Sequence, residues 1–363
     1  MEKESSLASR HFGYASDPHG TEELRSAVAG VMTEYIFKGE HTAIPDDVLL
    51  CSGATYAVSA LTGCLCDIGE GVIIPSPVYS GFFLDCTMLP GAKVLPSDAK
   101  AENGFRPQVS ELEDTYNKAM ADGITPRVLI IVNPNNPMGF IHTADEIEQM
   151  IAWARGHSLQ IIVDEIYALS VFSGSGPFTS VMNILEGDLS DDIHIVWGFS
   201  KDLCSNGMRV GSVYTQSDAL KKPLVTAFLF AMIPQMVQHV YAQVLKDRTF
   251  TKDYFSVHSK CLAEAYQAVT NTLDSLGVQY IPAEAGFFVM LSLRCVGVNS
   301  DDKEIKAYKH LLSHKLILSP GSTMATPEDG WFRLVFTTVP LDDLLIALQR
   351  FAAAYKSFSE CLT

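Results

Sequence analysis

A lysine followed by an arginine eight residues later gives the most specific chemical signal in this sequence. Lys201 comes directly after Ser200, at the end of the apolar run 194–199, and Arg209 follows in a glycine-containing segment. The apolar run predicts a core strand, so the amine should emerge at the carboxyl end of a strand, where open α/β sheets bind ligands. A guanidinium suits a phosphate. The pair therefore fits a cofactor that carries an aldehyde for the lysine and a phosphate for the arginine.

Two further apolar runs lead into polar residues in the same way. Residues 127–132 lead into a segment rich in asparagine and proline that contains Asn136, and residues 160–163 lead into Asp164 and Tyr167. A pyridine aldehyde needs an amine for a Schiff base, a carboxylate for the ring nitrogen, and donors for the ring hydroxyl. Taken singly, such an asparagine segment is a common turn, and an acidic residue after a strand is a common helix cap. Their ordered occurrence favours one cofactor site at a sheet edge.

The start of a helix is predicted to bind the phosphate. The strand-like run 48–51 is followed by a short turn and then by a helical pattern. The first amides of that helix, including those of Ala54 and Thr55, and the Thr55 hydroxyl should therefore face an anion. Ser200 and Arg209 complete the predicted phosphate-binding group.

Strand and helix patterns alternate through the first 250 residues, which is typical of an α/β fold with a doubly wound, mostly parallel sheet. Helical patterns occupy residues 21–37, 53–65, 107–121 and 144–157, and strand patterns occupy residues 71–74, 93–95, 127–132, 160–163, 193–196 and 211–214. We predict a large cofactor-binding domain over residues 1–250, with a short N-terminal arm.

The C-terminal third is patterned differently. A long helical pattern over residues 254–276 precedes strand patterns at 286–291, 316–318 and 332–336 and helical patterns near 304–313 and 341–355. These elements predict a smaller α/β domain over residues 251–363. In this architecture the cofactor lies between the two domains.

The sequence resembles the fold-type I pyridoxal 5′-phosphate enzymes of aminotransferase class I and II, and among them the 1-aminocyclopropane-1-carboxylate synthases (ACC synthases). The resemblance runs from about His11 to Phe351 and rests on six segments: PSPVYSGF (75–82), NPNNPMG (133–139), DEIYALSVF (164–172), HIVWGFSKDL (194–203), SPGS (319–322) and GWFRLVF (330–336). Together they are specific for the cofactor and the fold. They are less specific for the reaction, because transaminases, lyases and cyclopropane-forming enzymes share this frame.

The resemblance implies roles for five residues of the cofactor site. Lys201 would hold the cofactor as a Schiff base and move the α-proton of the substrate. Asp164 would pair with the protonated ring nitrogen, so that the ring accepts electrons from the substrate. Tyr167 and Asn136 would hydrogen-bond the ring oxygen, and Tyr79 would stack on the ring face.

The resemblance also implies how the substrate binds. Arg333 would bind the α-carboxylate bidentately, next to Asn136. The apolar surroundings of Arg333, residues 330–336, make a surface role the poorer interpretation. Tyr14 matches the tyrosine that one subunit of a homodimer contributes to the active site of the other.

The chain departs from the family pattern at three places. Gly198 stands where the family usually has a hydroxyl residue, so one charge-assisted hydrogen bond of about 1.5–3 kcal/mol is missing and we expect weaker cofactor retention. Val78 stands where ACC synthases usually carry another tyrosine. The loop at residues 14–20 fits only with a one-residue shift and follows a much shorter segment than family members carry. We therefore expect either a shortened chain or a different substrate.

Composition is typical of a soluble metabolic enzyme. The 363 residues are 47% hydrophobic, enough for a substantial core in two domains, and 26 Lys and Arg against 42 Asp and Glu give a net charge of −16. This charge argues against nucleic acid and anionic membranes as partners. The polar opening 1–6 shows no signal peptide, and the longest apolar run, 225–237, is too short to span a bilayer. We expect a cytoplasmic protein.

Neither cysteines nor histidines suggest a metal site. The eight cysteines are too few for a disulfide scaffold in a chain of this length, and Cys64 and Cys66 lack a second pair at zinc-site spacing. We predict no metal. Cys204, three residues after the lysine, is close enough in sequence to contact the site, although buried cysteines are usually inert.

Three functions fit these residues. The first is an ACC-synthase-like lyase or cyclase acting on S-adenosylmethionine or a related γ-substituted amino acid, which the resemblance favours. The second is an aminotransferase that passes an amino group to a 2-oxo acid. The third is a pyridoxal phosphate-binding homologue with little or no catalysis. Retention of Lys201, Asp164 and Arg333 together favours the first two.

Overall fold

The computed structural model of the protein describes residues 7–15, 17–172 and 174–358. The opening segment 1–6, on which the signal-peptide interpretation rests, and Ser16 of the tyrosine loop lie outside the described residues. Residues 359–363 of the predicted small domain also lie outside them. Among the helices that are described, none is long and apolar enough to cross a membrane.

A seven-stranded mixed sheet forms the centre of the larger part of the molecule. In chain order its strands are β1 (Val48–Cys51), β2 (Gly71–Ser76), β3 (Lys93–Asp98), β4 (Pro126–Val132), β5 (Gln160–Asp164), β6 (Ile193–Gly198) and β7 (Gly211–Thr215). Their spatial order is β1-β7-β6-β5-β4-β2-β3. Strands β2 to β6 are parallel, whereas β7 runs antiparallel to both of its neighbours. The predicted doubly wound, mostly parallel sheet is thus confirmed.

Helices cover both faces of this sheet. They are α1 (Glu22–Val31), which continues as a π-helical turn at Met32–Ile36, α2 (Ala54–Leu65), α3 (Gly81–Thr87), α4 (Val109–Ala121), α5 (Ala144–Gly156), α6 (Val181–Ile184), α7 (Phe199–Asp202), α8 (Asp218–Phe228) and α9 (Gln235–Lys246). Successive residues of a strand point to opposite faces. Accordingly, Leu129 and Ile131 pack in the core that contains α1 and α5, and Val128 and Ile130 pack in the core that contains α2.

The C-terminal part is built on a second, four-stranded sheet. Helix α10 (Arg248–Leu276) leads into β8 (Tyr280–Ile281), β9 (Phe288–Ser292), α11 (Asp301–Ser313), β10 (Ser319–Pro320), β11 (Trp331–Val335) and α12 (Leu341–Lys356). The strand order is β10-β11-β9-β8, and these elements share an apolar core of their own. The exact boundary between residues 250 and 251 stays a prediction.

Two local predictions were wrong or incomplete. The apolar residues 316–318 were predicted as a strand, but the ladder with β11 begins only at Ser319, and Leu316 and Leu318 are buried by packing without strand pairing. The apolar run 225–237 was assigned no helix, yet it contains the end of α8 and the start of α9. Residues 229–234 separate them, and Pro234 directly precedes the first residue of α9, a position that proline tolerates.

Candidate active site

Neighbouring parallel strands bring the predicted residues to one edge of the sheet. Val132, the last residue of β4, pairs with Asp164, and Asp164 pairs with Val196 of β6. The segment that carries Asn136 follows β4, and α7 carries Lys201 directly after β6. The carboxyl ends of three adjacent strands therefore surround one position, which is where ligands bind in open α/β sheets.

A cavity of about 140 Å³ lies at this edge. It is lined by Ala54, Thr55, Val58, Tyr79, Phe82, Asp85, Asn136, Asp164, Ile166, Tyr167, Ser200, Lys201, Asn206 and Arg209. Every residue predicted to bind the cofactor is in this set. Five of the lining residues were not predicted: Phe82 and Ile166 lie in the segments 75–82 and 164–172 that carry the resemblance, whereas Val58, Asp85 and Asn206 left no local signal.

An anion-binding cradle forms where α2 begins. Gly53 precedes α2 with a φ of +89°, and a Cβ there would lie 2.3 Å from Nη2 of Arg209, so only glycine lets the guanidinium approach this backbone. No carboxylate pairs with Arg209 among the residues described; its Nη1 donates to the Asn206 carbonyl at 2.9 Å. Together with the amides at the helix N-terminus and the hydroxyls of Thr55 and Ser200, this donor set fits a phosphate.

Gly198 lies where two backbone segments are in close contact. A Cβ at this position would lie 2.8 Å from the Val210 carbonyl oxygen and 3.1 Å from the Gly211 Cα. The family's usual hydroxyl residue would therefore not fit here without a backbone shift. Reduced cofactor retention stays a prediction.

The carboxyl of Asp164 is buried in the cavity wall. The Ile166 amide donates to its Oδ1 at 3.1 Å, and no salt bridge reaches it from any described residue. Burial raises the pKa of Asp164 to about 7, against the smaller opposing effects of that hydrogen bond and of the Lys201 charge. A buried carboxylate without a cation is costly, and a protonated ring nitrogen would supply the cation.

This burial predicts a pH-dependent stability for the cofactor-free protein. Because the folded-state pKa of Asp164 lies near 7, above its ordinary 3.8, the protonated side chain stabilises the fold at low pH. That contribution should be lost as the pH rises from about 4 to about 7. Urea denaturation at several pH values should show Asp164→Asn gaining stability relative to the unmodified chain across that interval. A difference independent of pH would contradict the assignment.

Lys201 is placed to act as a neutral amine. Burial lowers its pKa, the positive charges of Arg333 and Arg209 lower it further, and Asp164 opposes them. Its Nζ lies 5.9 Å from the centre of the Tyr167 ring. An amine with a lowered pKa is more often unprotonated near neutral pH, which is the state that attacks an aldehyde.

Tyr167, Asn136 and Tyr79 line the remaining walls. Burial raises the pKa of Tyr167 above its ordinary value, so its hydroxyl stays a hydrogen-bond donor. Its ring packs edge-on against Phe288 at 5.4 Å. Asn136 is 5% exposed and uses its Oδ1 to accept from Arg333, which leaves its amide hydrogens as donors. Tyr79 packs edge-on against Phe82 at 5.5 Å.

Arg333 lies beside the cavity wall that Asn136 forms, and it has a donor without a partner. From β11 its Nη1 donates to Asn136 at 2.9 Å and its Nη2 reaches the Ser319 hydroxyl at 3.4 Å. Its Nε is buried without a hydrogen-bond partner, and no salt bridge reaches it from the described residues. A buried guanidinium without a carboxylate fits the binding of a carboxylate from a ligand.

Truncation of this arginine should weaken substrate use strongly. We expect Arg333→Ala to lower kcat/KM by about 10²- to 10³-fold, from the ~3–4 kcal/mol typical of a truncated buried charge pair. Arg333→Lys should recover only part, since an ammonium cannot bind a carboxylate bidentately. Initial rates measure both, with the exposed Arg350→Ala as the control. Equal kcat/KM values for Arg333→Ala and Arg350→Ala would exclude this role.

A buried hydrogen-bond network, which the sequence did not predict, supports the short helix α7 that carries Lys201 (the lysine turn). Asp202 accepts hydrogen bonds from the Ser170 hydroxyl at 2.6 Å and from the Trp197 indole at 2.8 Å. Ser170 also contacts His258 of α10, whose other ring nitrogen lies 3.9 Å from Cys204 Sγ. Cys204 is exposed and lines, with Lys201, a second cavity of about 720 Å³.

Tyr14 lies away from the cavity of its own chain. Its side chain is 93% exposed, and its backbone carbonyl accepts a hydrogen bond from the Gln235 side chain. Its predicted role in a partner's site stays a prediction. Within residues 7–15, 17–172 and 174–358, no group of three His, Cys, Asp or Glu side chains could hold a metal ion.

Comparison with known proteins relates the whole site to one family. The family profile described as aminotransferase class I and II matches residues 1–351. The 1-aminocyclopropane-1-carboxylate synthase 8 of Arabidopsis thaliana is 31% identical over 359 residues, covering 96% of this chain and 76% of that protein. The 1-aminocyclopropane-1-carboxylate synthase of Nicotiana tabacum is 32% identical over 340 residues, covering 92% and 69%.

Solved structures show the same fold. An aspartate aminotransferase double mutant of Thermus thermophilus superposes with a TM-score of 0.82 at 21% identity, covering 95% of this chain and 84% of that chain. An aspartate aminotransferase of Thermotoga maritima gives a TM-score of 0.79 at 25% identity with the same coverage. The fold-type I architecture predicted from the sequence is thereby confirmed.

Proposed function

Because the chain belongs to aminotransferase class I and II and is a pyridoxal 5′-phosphate-dependent enzyme, we propose that it acts at Cα of an amino acid as an ACC-synthase-like lyase or cyclase. The proposed substrate is S-adenosylmethionine or a related γ-substituted amino acid. One observation supports this most strongly: Lys201 and Asp164 line one cavity, Arg333 donates a hydrogen bond to Asn136 in its wall, and none of the three has an ion-pair partner among the described residues.

The cavity residues fit the cofactor on the chemistry of their donors. The cradle of Gly53, Thr55 and Arg209 suits its phosphate, and Tyr167 and Asn136 suit its ring oxygen. Pyridoxal phosphate, when bound, supplies a conjugated system that accepts the electron pair left at Cα when the α-proton is removed.

The side chains of this protein prepare that step. The Arg333 fork binds the α-carboxylate and so fixes which bond at Cα is exposed to the base. The Lys201 Nζ would act as the base that takes the α-proton, a role that its lowered pKa favours. When the cofactor is bound, Asp164 would hold a proton on the ring nitrogen, and the Tyr167 hydroxyl would donate to the ring oxygen.

Two outcomes can follow the removal of the α-proton. In the proposed reaction a Cα–Cγ bond forms and the Cγ–S bond breaks. Methylthioadenosine leaves with the electron pair of the broken Cγ–S bond. In an aminotransferase the proton is not returned to Cα, and the substrate leaves as a 2-oxo acid while its amino group stays on the enzyme. A second 2-oxo acid must then accept that amino group before the next turnover. The solved structures named above are aminotransferases, so the fold is also compatible with this second candidate.

An isotope-exchange experiment with a substrate panel tests the proposal. Purified protein loaded with pyridoxal phosphate is incubated in D₂O with S-adenosylmethionine, methionine, aspartate, alanine and phenylalanine, each with and without a 2-oxo acid. We expect S-adenosylmethionine to be consumed at a rate that does not depend on the acceptor. Net conversion of the other amino acids only when a 2-oxo acid is present, with S-adenosylmethionine left intact, would favour the aminotransferase.

The proposal includes a homodimer. An apolar groove of about 460 Å³ lies beside the lysine turn and is lined by Leu203, Met208, Met236, Val237, Val240, Tyr241, Val244, Phe250 and Tyr254. Phe230, close by in sequence, is 90% exposed. Burial of such apolar surface favours association. Sedimentation at micromolar concentration should give twice the mass of one chain, and a monomer at that concentration would contradict this.

A further inference from the structure

A second carboxyl, that of Asp85, faces the cofactor cavity. Asp85 is only 8% exposed and lines the cavity together with Asp164. No hydrogen bond or salt bridge reaches its carboxyl from any described residue. A buried carboxyl without a partner is unusual, because burial of an unpaired charge is costly. The proposed roles of the other cavity residues do not involve it.

The start of α3 directs this carboxyl into the cavity. The helix begins at Gly81, right after Tyr79, and Phe82 and Asp85 are spaced by three, so they share the face that lines the cavity. A Cβ at position 81 would lie 2.3 Å from Cε1 of the Tyr79 ring. Glycine is therefore needed there for Tyr79 to lie against the helix, next to Asp85.

Asp164 is the one charged group that shifts the pKa of Asp85. Its pKa rises to about 7 through burial and, after that, through repulsion from Asp164. Tyr79 and Cys86 are the two titratable groups whose pKa Asp85 raises, and in both of them burial is the larger cause. The remaining titratable groups on the elements packed against α3 are Tyr56 and Cys64 of α2 and Lys93 and Asp98 of β3. None of these contributes to the shift of Asp85.

The carboxyls of Asp85 and Asp164 therefore repel each other at the same small cavity. No hydrogen bond joins them in the described chain, so their repulsion acts through space. A single positive charge placed against Asp164 would relieve the repulsion and stabilise both anions. In the proposed cofactor placement, that charge is the protonated ring nitrogen.

We propose that Asp85 is a second carboxylate for the ring nitrogen of pyridoxal phosphate, acting through space together with Asp164, with which it lines the cavity, to hold the bound ring in its protonated state. This inference rests on the proposed placement of the ring against Asp164. It assigns Asp85 a positioning role, since its carboxyl acts on the ring through the field and not by contact with the reacting atoms.

The test follows the ring nitrogen itself. The protein is loaded with pyridoxal phosphate labelled with ¹⁵N in the ring, and the ¹⁵N chemical shift is recorded as a function of pH without substrate. Asp85→Asn keeps the size of the side chain and removes its charge. We expect Asp85→Asn to weaken proton binding at the ring nitrogen by about tenfold, the order of magnitude for the loss of one nearby charge. Asp85→Glu keeps the charge and should titrate like the unmodified protein.

Two controls separate this inference from its premise. Asp98→Asn removes an exposed carboxylate from β3, which packs against α3, and should leave the titration unchanged. Asp164→Asn tests the placement of the ring: if it too leaves proton binding unchanged, the proposed cofactor placement is wrong. If Asp164→Asn weakens proton binding and Asp85→Asn does not, the inference about Asp85 alone is overturned.

The result stays decisive if Asp85→Asn fails to retain the cofactor. In that case Asp85→Glu decides, because a role through charge requires this variant to bind the cofactor and titrate normally. Loss of the cofactor from both variants would mean that Asp85 acts through packing, which overturns the proposal.

Discussion

Replacement of Lys201 by alanine is expected to abolish turnover, with a fall of at least about 10⁴-fold. The variant lacks both the amine that attaches the cofactor and the base that takes the α-proton. Neither Arg209 nor Arg333 can substitute, because a guanidinium does not supply the primary amine that attaches the cofactor. Initial rates, together with borohydride reduction and peptide mapping of the unmodified protein, measure this prediction.

A lysine outside the cavity provides the control. Lys222 is exposed on α8, so Lys222→Ala should keep full activity and should leave the borohydride-fixed cofactor on the peptide that contains Lys201. A label found on a different lysine, or turnover by Lys201→Ala at the rate of Lys222→Ala, would remove Lys201 from the mechanism.

The second large effect is expected for Asp164→Asn. Asparagine can still accept the Ile166 amide hydrogen bond, so the turn after β5 should keep its structure. The neutral amide cannot hold a proton on the ring nitrogen, and the ring then accepts electrons poorly. We expect exchange of the α-proton to slow by roughly 10²- to 10³-fold, which corresponds to the ~3–4 kcal/mol lost with one partner of a buried pair.

This prediction is measured by deuterium incorporation at Cα in D₂O, with circular dichroism and cofactor content as checks on the fold. The expected pattern is a folded, cofactor-containing protein with slow exchange. Exchange at a near-normal rate would show that the Asp164 carboxylate is not required for the chemistry.

The elements that carry the site could be predicted because their signals are local. Strands β4, β5 and β6 are buried on both faces and read as continuous apolar runs, so the polar residues at their carboxyl ends stood out. Lys201, Asp164 and Asn136 were recognisable for that reason. Their convergence then followed from the parallel order of the strands.

Other parts of the site depend on contacts between distant segments and left no local signal. The hydrogen bond from Ser170 to Asp202 joins residues 32 apart, and neither residue lies in a pattern that predicts the contact. The reason for glycine at position 198 is the approach of the Val210 carbonyl, which only the folded chain shows. Asp85 lies on a helix of seven residues, too short for a periodic pattern to predict it.

The central claim, that this site expels a γ-substituent instead of transferring an amino group, is tested most directly by the products of one incubation. The protein loaded with pyridoxal phosphate is given S-adenosylmethionine alone, in large excess over sites, and methylthioadenosine and 2-oxo acid are quantified by mass spectrometry. The account predicts many equivalents of methylthioadenosine per site and no 2-oxo acid, with the product lost in Lys201→Ala and strongly reduced in Arg333→Ala. S-adenosylmethionine left intact, while ordinary amino acids turn over repeatedly only when a 2-oxo acid is supplied, would contradict the account and establish an aminotransferase.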